Sequence, residues 1–134
     1  MAQEKNFENR VKKYLTDCGC WILKYWGGAS YTKSGIPDLL VCCSGRFIGI
    51  ELKAASGKPS ELQLYNLRKI EQAGGYGILL YPDDYDQFKH MLDNLISMEK
   101  LHMHQALDHT EGYEHFRKIR KEWEDKLSVT VHIN

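Results

Sequence analysis

Two acids and a lysine stand close together in one short stretch of this chain of 134 residues. Asp38 follows Pro37, and after an apolar run comes Glu51-Leu52-Lys53. Like charges placed side by side repel, and a divalent cation between them removes the penalty. Hard cations such as Mg²⁺ take oxygen ligands, commonly one or two carboxylates plus substrate phosphates. Lys53, two residues on from Glu51, adds a positive charge to the same spot. The three residues offer a place for a hard cation and a phosphate-bearing ligand, if the fold joins them. The plain alternative is a surface ion-pair cluster on the wet side of a strand.

A hairpin would join them. Asp38 to Cys43 is apolar with β-branched character, and Arg46 to Lys53 alternates. Ser44-Gly45 between them is a two-residue turn signal. With those two as the loop, Cys43 faces Arg46 and Asp38 lies directly opposite Glu51. Directly opposed residues have Cβ atoms about 4.5–5.5 Å apart. Period two puts Phe47, Gly49, Glu51 and Lys53 on one face and Ile48, Ile50 and Leu52 on the other. The apolar set fixes the register, because a one-residue slip would bury Glu51 and Lys53.

The flanking segments read as elements that hold this hairpin. Residues 3–18 form an amphipathic helix with Phe7, Val11, Tyr14, Leu15 and Cys18 on one stripe. Glu8 sits at the margin of that stripe and by composition is a solvated helix acid. Cys20 to Trp26 reads as a strand. Gly27 to Gly35 is a polar loop feeding into Asp38. Its Tyr31, Lys33 and Ser34, with Lys13 and Lys58, are candidates to contact nucleic-acid phosphates.

Beyond the hairpin, Pro59 suits a first helical turn. Ser60 and Gln63 have capping-box spacing, and the helix runs to about Ala73 before Gly74-Gly75. Gln63 also falls on an apolar stripe with Leu64, Leu67 and Ile70, and an inward amide needs a partner. Tyr76 to Tyr81 is a short buried strand, and Asp86 to Met98 an amphipathic helix. Residues 99–110, with His102, His104 and His109, read as a linker. Glu111 to Leu127 is a charged helix with Tyr113, Phe116, Ile119, Trp123 and Leu127 along one face, and residues 128–133 form an alternating strand. The fold class is α/β with a mixed α+β sheet. Residues 1–98 make the core. Residues 99–134 make a C-terminal helical extension, packed on the same domain or on a second copy.

The bulk numbers agree. The length suits one domain. Hydrophobic content of 43% and charged content of 27% are ordinary for a soluble chain. No apolar run approaches the ~20 residues of a membrane span, and the first residues lack a signal-peptide core. An intracellular, cytoplasmic setting is expected, with no membrane partner. The four cysteines then read as free buried thiols rather than disulfides or a zinc site. Net charge is zero but uneven. Residues 1–69 hold 11 Lys+Arg against 6 Asp+Glu, and residues 70–134 hold 7 against 12. The basic half carries the hairpin, which suits a polyanion.

The order Pro37-Asp38, then Glu51-Leu52-Lys53, resembles the signature of the PD-(D/E)xK nuclease superfamily. Gly35 to Lys53, with Ser60 and Gln63 downstream, is most similar to the VRR-NUC branch, which includes small stand-alone phage-type proteins. The likeness covers Phe7 to Leu80. It implies a restriction-endonuclease-like α-β-β-β-α-β core. It further implies a metal-dependent DNA endonuclease, selective for structures such as Holliday junctions or flaps. Asp38 and Glu51 would ligate Mg²⁺ or Mn²⁺, helped by the Leu52 carbonyl and by Glu8. Glu8, with Glu4 as the lesser substitute, matches a first-helix glutamate of this branch and of related Holliday-junction resolvases. Lys53 would orient or deprotonate the attacking water or stabilise the transition state, and Gln63 would hold Lys53 or the water. Such enzymes cut two strands, so a homodimer is expected. The rivals are a non-catalytic DNA-binding or assembly module that keeps the fold, and an RNA-directed nuclease of the same chemistry.

Overall fold

In a computed structural model of the chain, residues 2–26, 34–99 and 109–127 are described. The elements run α1 (Ala2–Asp17), β1 (Trp21–Lys24), β2 (Leu39–Cys43), β3 (Arg46–Leu52), α2 (Glu61–Gln72) and β4 (Tyr76–Leu80). A 3₁₀ turn at Pro82–Asp84, α3 (Tyr85–Glu99) and α4 (Tyr113–Lys126) follow. This is the expected α-β-β-β-α-β order with helices appended, a mixed α/β architecture consistent with a restriction-endonuclease-like fold. The sheet order is β1-β2-β3-β4. β1, β2 and β3 are antiparallel neighbours, while β4 lies parallel to β3. Parallel neighbours need a crossover, and α2 supplies it.

Ser44 and Gly45 both have positive φ, 51° and 80°. That is the backbone signature of a type I′ turn, whose twist matches the strands it joins. Cys43 therefore pairs with Arg46 and Leu39 with Ile50, which is the expected register. The ladder ends at Leu39. Asp38 is in a bend just outside it, where the Tyr25 N–H donates to the Asp38 carbonyl at 2.9 Å.

One sheet face carries the main core. Phe7, Val11 and Leu15 of α1 and Phe88, Leu92 and Leu95 of α3 pack with Leu39, Val41, Ile48, Ile50 and Leu52. The Phe7 and Tyr85 rings meet edge to face at 5.7 Å between centroids. α2 covers the other face over β3 and β4. Gly49 and Gly77 are ladder partners there. A Cβ at Gly77 would stand 2.2 Å from the Leu67 carbonyl oxygen, and one at Gly49 would stand 2.5 Å from Ile70 Cδ1. Only paired glycines admit a helix this close, and the approach brings Gln63 within reach of the sheet.

Several sequence expectations need correction. Glu51 is not on a wet face: it is 3% exposed, because α2 lies over its side of β3. The face of α2 turned inward holds Gln63, Asn66, Leu67 and Ile70, while Leu64 is exposed. The helix rotation follows contacts at its N-cap and at Gly77, not its most apolar stripe. Pro59 precedes the N-cap Ser60 and lies outside the helix. Among the described strands β4 lies at the sheet edge, and only its Leu80 is fully buried. The four cysteines are free, but only Cys43 is buried; Cys42 is exposed and Cys18 and Cys20 are half-buried. The apolar line of α4 is open to solvent at Phe116, Ile119, Trp123 and Leu127. His109 is exposed. His102, His104, Tyr31, Lys33 and the strand at 128–133 lie outside the described residues.

Candidate active site

The acids meet at one end of the sheet. Asp38, just past the last rung of β2, turns its carboxylate to β3, and its Oδ2 accepts the Leu52 N–H at 2.8 Å. A side chain thus takes over where the backbone ladder stops. Next to it, at the end of β3, is Glu51. Its Oε1 accepts from Gln63 Nε2 at 3.0 Å and has Lys53 Nζ at 3.7 Å. Its Oε2 is buried and meets no donor among the described residues. Burial first, and the Asp38 carboxylate second, push the Glu51 carboxyl up from 4.5 to about 7, against the opposing pull of Lys53. Two neighbouring carboxylates, one of them buried with an unpartnered oxygen, leave an acceptor without a donor at the site.

Gln63 joins helix and sheet. The Ser60 Oγ accepts the Gln63 N–H at 3.1 Å, and Gln63 Oε1 accepts the Ser60 N–H at 2.8 Å. This is a complete capping box. The amide nitrogen stays free to donate to Glu51. The capping role and the inward role that the sequence raises are both filled, each by a different end of one amide.

Two supporting residues escaped the sequence reading. Asn66, buried one turn after Gln63, donates through Nδ2 to the carbonyls of Gly35 at 2.9 Å and Leu62 at 3.1 Å. It ties the segment entering Asp38 to α2. Its spacing from Gln63 was the available signal, since residues three apart share a helix face. The second is Lys24 of β1. Its Nζ lies 2.6 Å from Glu8 Oε1 and 3.6 Å from Asp38 Oδ1. Burial pulls the Lys24 ammonium down, but Glu8 and Asp38 outweigh it and hold the group above the usual lysine range. The signal was parity. Ile22 and Lys24 share the core-facing side of β1, and a charge on an apolar parity demands a partner.

Asp38, Glu51, Lys53 and Gln63 are therefore brought together, with Leu52 joined through its backbone. Glu8 reaches the group only through Lys24, and its other oxygen has Lys12 Nζ at 3.5 Å. Among the described residues no three acids, histidines or cysteines converge as a metal-binding cluster. Of the expected ligands, Glu8 and Asp38 share the Lys24 ammonium at 2.6 and 3.6 Å, and Glu51 meets Lys53 and Gln63. Of the expected phosphate contacts, Ser34 and Lys58 are exposed, and Lys13 on α1 pairs with Asp17 at 3.0 Å.

The model of the archaeal Holliday junction resolvase family matches residues 2–77. The span runs from α1 into β4 and takes in Glu8, Lys24, Asp38, Glu51, Lys53, Gln63 and Asn66. Comparisons with curated proteins and with solved structures find no significant match.

Proposed function

The chain belongs to the archaeal Holliday junction resolvase family, and from that premise we propose that it is a divalent-metal-dependent endonuclease for branched DNA. The observation that carries the metal reading is Glu51. Its buried, donorless Oε2 stands beside the Asp38 carboxylate, and together they are hard oxygen donors that suit a divalent cation. Asp38 and Glu51 would hold Mg²⁺ or Mn²⁺, with the Leu52 carbonyl and Glu8 as further ligands. Bound there, such an ion supplies Lewis-acid polarisation of the phosphate and a more acidic water.

The chain's own groups do the rest. The Leu52 N–H orients Asp38. Gln63 holds one Glu51 oxygen, leaving the other available. Lys53, partly buried beside Glu51, places an ammonium where it can orient the attacking water or meet charge on the phosphate. Lys58, Ser34 and Lys13, with Lys33 and Tyr31, would contact flanking phosphates. The Gly35–Lys53 motif with Gln63 supports a VRR-NUC-like variant of the resolvase fold. A structure-selective reading fits the absence of any recognition helix motif in the sequence. No helix among the described residues is long and apolar enough to cross a membrane, and an intracellular setting fits a DNA substrate.

A homodimer is the form we propose. Trp21 is 62% exposed and Phe47 45%, and they sit in one row across β1, β2 and β3 through Cys42. Leu23 extends the row, and an apolar cleft lined by Ile36, Leu40 and Ile70 adjoins it. Contiguous exposed apolar surface of this kind marks an interaction face.

The test is a cleavage assay on a labelled four-way junction, a flap, linear duplex and matched RNA, with Mg²⁺, Mn²⁺ or EDTA. We expect metal-dependent cutting that favours the junction and falls about 100-fold or more in Glu51→Ala and in Lys53→Ala. Metal-independent binding without cutting, indifferent to Glu51→Ala, would instead establish a scaffold.

A further inference from the structure

Lys24 is not among the residues that the motif assigns, yet it is the group that links the two halves of the site. Glu8 comes from α1 and Asp38 from the end of β2, and the two carboxylates share one ammonium. The ammonium is held from several sides. Tyr25 N–H bonds the Asp38 carbonyl and so fixes β1 against Asp38. The Trp26 ring lies 5.5 Å from Nζ. All three side chains of the cluster are shielded, Lys24 at 19% exposure, Glu8 at 16% and Asp38 at 28%. The space between Glu8 and Asp38 that a shared cation would take is therefore filled by a cation of the chain itself.

We propose that Lys24 is a positioning residue that acts as a built-in counter-cation, holding Glu8 and Asp38 together and competing with the divalent metal for them. The inference rests on the metal reading above. Recruiting Glu8 as a ligand requires the Lys24 ammonium to leave its short contact with Glu8. While it stays, it repels a metal at Asp38, since two positive charges at contact distance repel strongly where water is largely shut out. Lys24 thus sets the metal affinity from below, and it keeps the acids from repelling each other before metal and DNA arrive. Lys53 has the complementary place, against Glu51 rather than Asp38.

The experiment is calorimetric titration of Mn²⁺ into wild type, Lys24→Met and Lys24→Arg, beside Glu51→Gln as the reference for a lost site. We expect Lys24→Met to bind Mn²⁺ about tenfold or more tightly than wild type. Lys24→Arg, which keeps the charge, should stay within about threefold of wild type. A readout on the unaltered protein guards against misfolded variants: Mg²⁺ saturation followed by NMR at the Lys24 side-chain ammonium and at the Leu52 amide. We expect both signals to move with one midpoint. If Leu52 moves and Lys24 does not, or if Lys24→Met binds no more tightly, the counter-cation role is wrong while the metal reading stands. If neither signal moves and no variant binds Mn²⁺, the metal reading fails and takes this inference with it.

Discussion

Gln63 donates to Glu51 across 3.0 Å while its carbonyl end closes the N-terminal cap of α2. One amide therefore couples the start of a helix to the buried acid of the site. Removing it has two consequences that separate by choice of substitute. Gln63→Ala loses the cap contact and leaves Glu51 with one donor fewer, so we expect it to be less stable by about 1–2 kcal/mol in urea melts. Gln63→Glu keeps a cap acceptor at the same position but sets a second carboxylate against Glu51. It should be less destabilised than Gln63→Ala at the cap yet as poor in cleavage. Equal cleavage by Gln63→Glu and wild type would show that the amide serves the helix alone.

Glu51 carries a pH dependence with a definite sign. Its folded-state value is raised, to about 7 from 4.5, first by burial and then by Asp38. The folded protein thus holds a proton that the unfolded chain releases across that interval. Stability from this group is fully present below about pH 4.5 and is lost as pH rises toward 7. The slope is about 1.4 kcal/mol per pH unit at its steepest, a total on the order of a few kcal/mol. In EDTA, wild type should therefore lose more stability than Glu51→Gln between pH 5 and 7.5. Parallel pH profiles for the two proteins would rule this out. If Mg²⁺ binds the ionised pair, adding it at pH 7.5 should restore stability to wild type and not to Glu51→Gln.

The close approach of α2 to the sheet makes Gly77 a sensitive position. A methyl group there would stand 2.2 Å from the Leu67 carbonyl oxygen, which is backbone and cannot swing aside. Gly77→Ala should push α2 outward and cost about 3 kcal/mol. Because α2 also carries Gln63 and Asn66, cleavage should fall even where the variant remains folded. Gly45→Ala, by contrast, meets no atom within 4 Å and strains only its own φ of 80°. It should cost about 1 kcal/mol and leave the site untouched. Denaturant midpoints beside initial cleavage rates would separate the two.

These residues also mark what the sequence could say. The register was legible because Ser44-Gly45 is a strong local turn signal and Ile48, Ile50 and Leu52 hold one parity. The capping box was legible because both partners lie within one turn. Glu51's burial was not, since alternation tells two faces apart but not whether the polar one meets water or a helix. The helix that covers it depends on Gly49 meeting Gly77, a pairing that exists only once β4 lies parallel to β3. Lys24 shows the same limit from the other side. Its parity was visible, but its partners come from α1 and from beyond the end of β2, and nothing local names them. The C-terminal helix was legible in period and extent, while what covers its apolar line depends on contacts that periodicity does not carry.

The exposed row on the sheet supplies the last prediction. Trp21 pairs with Cys42, and Cys42 with Phe47, so the two aromatic side chains lie one strand apart on a single face. Neither belongs to the core, so a charge at either should leave the fold intact. Aromatic residues at the centre of an interface are common anchors, worth about 2 kcal/mol or more each. Phe47→Glu and Trp21→Glu should therefore shift a dimer to monomer in sedimentation velocity, with far-UV circular dichroism unchanged. Asp38, Glu51, Lys53 and Gln63 all come from one chain, so the monomeric variants should keep metal binding. They should nick a four-way junction on one strand rather than cut both strands in step. A wild type that sediments as a monomer at every concentration would remove the interface. Variants that stay dimeric would move it elsewhere, with the exposed line of Phe116, Ile119 and Trp123 on α4 as the next surface to alter.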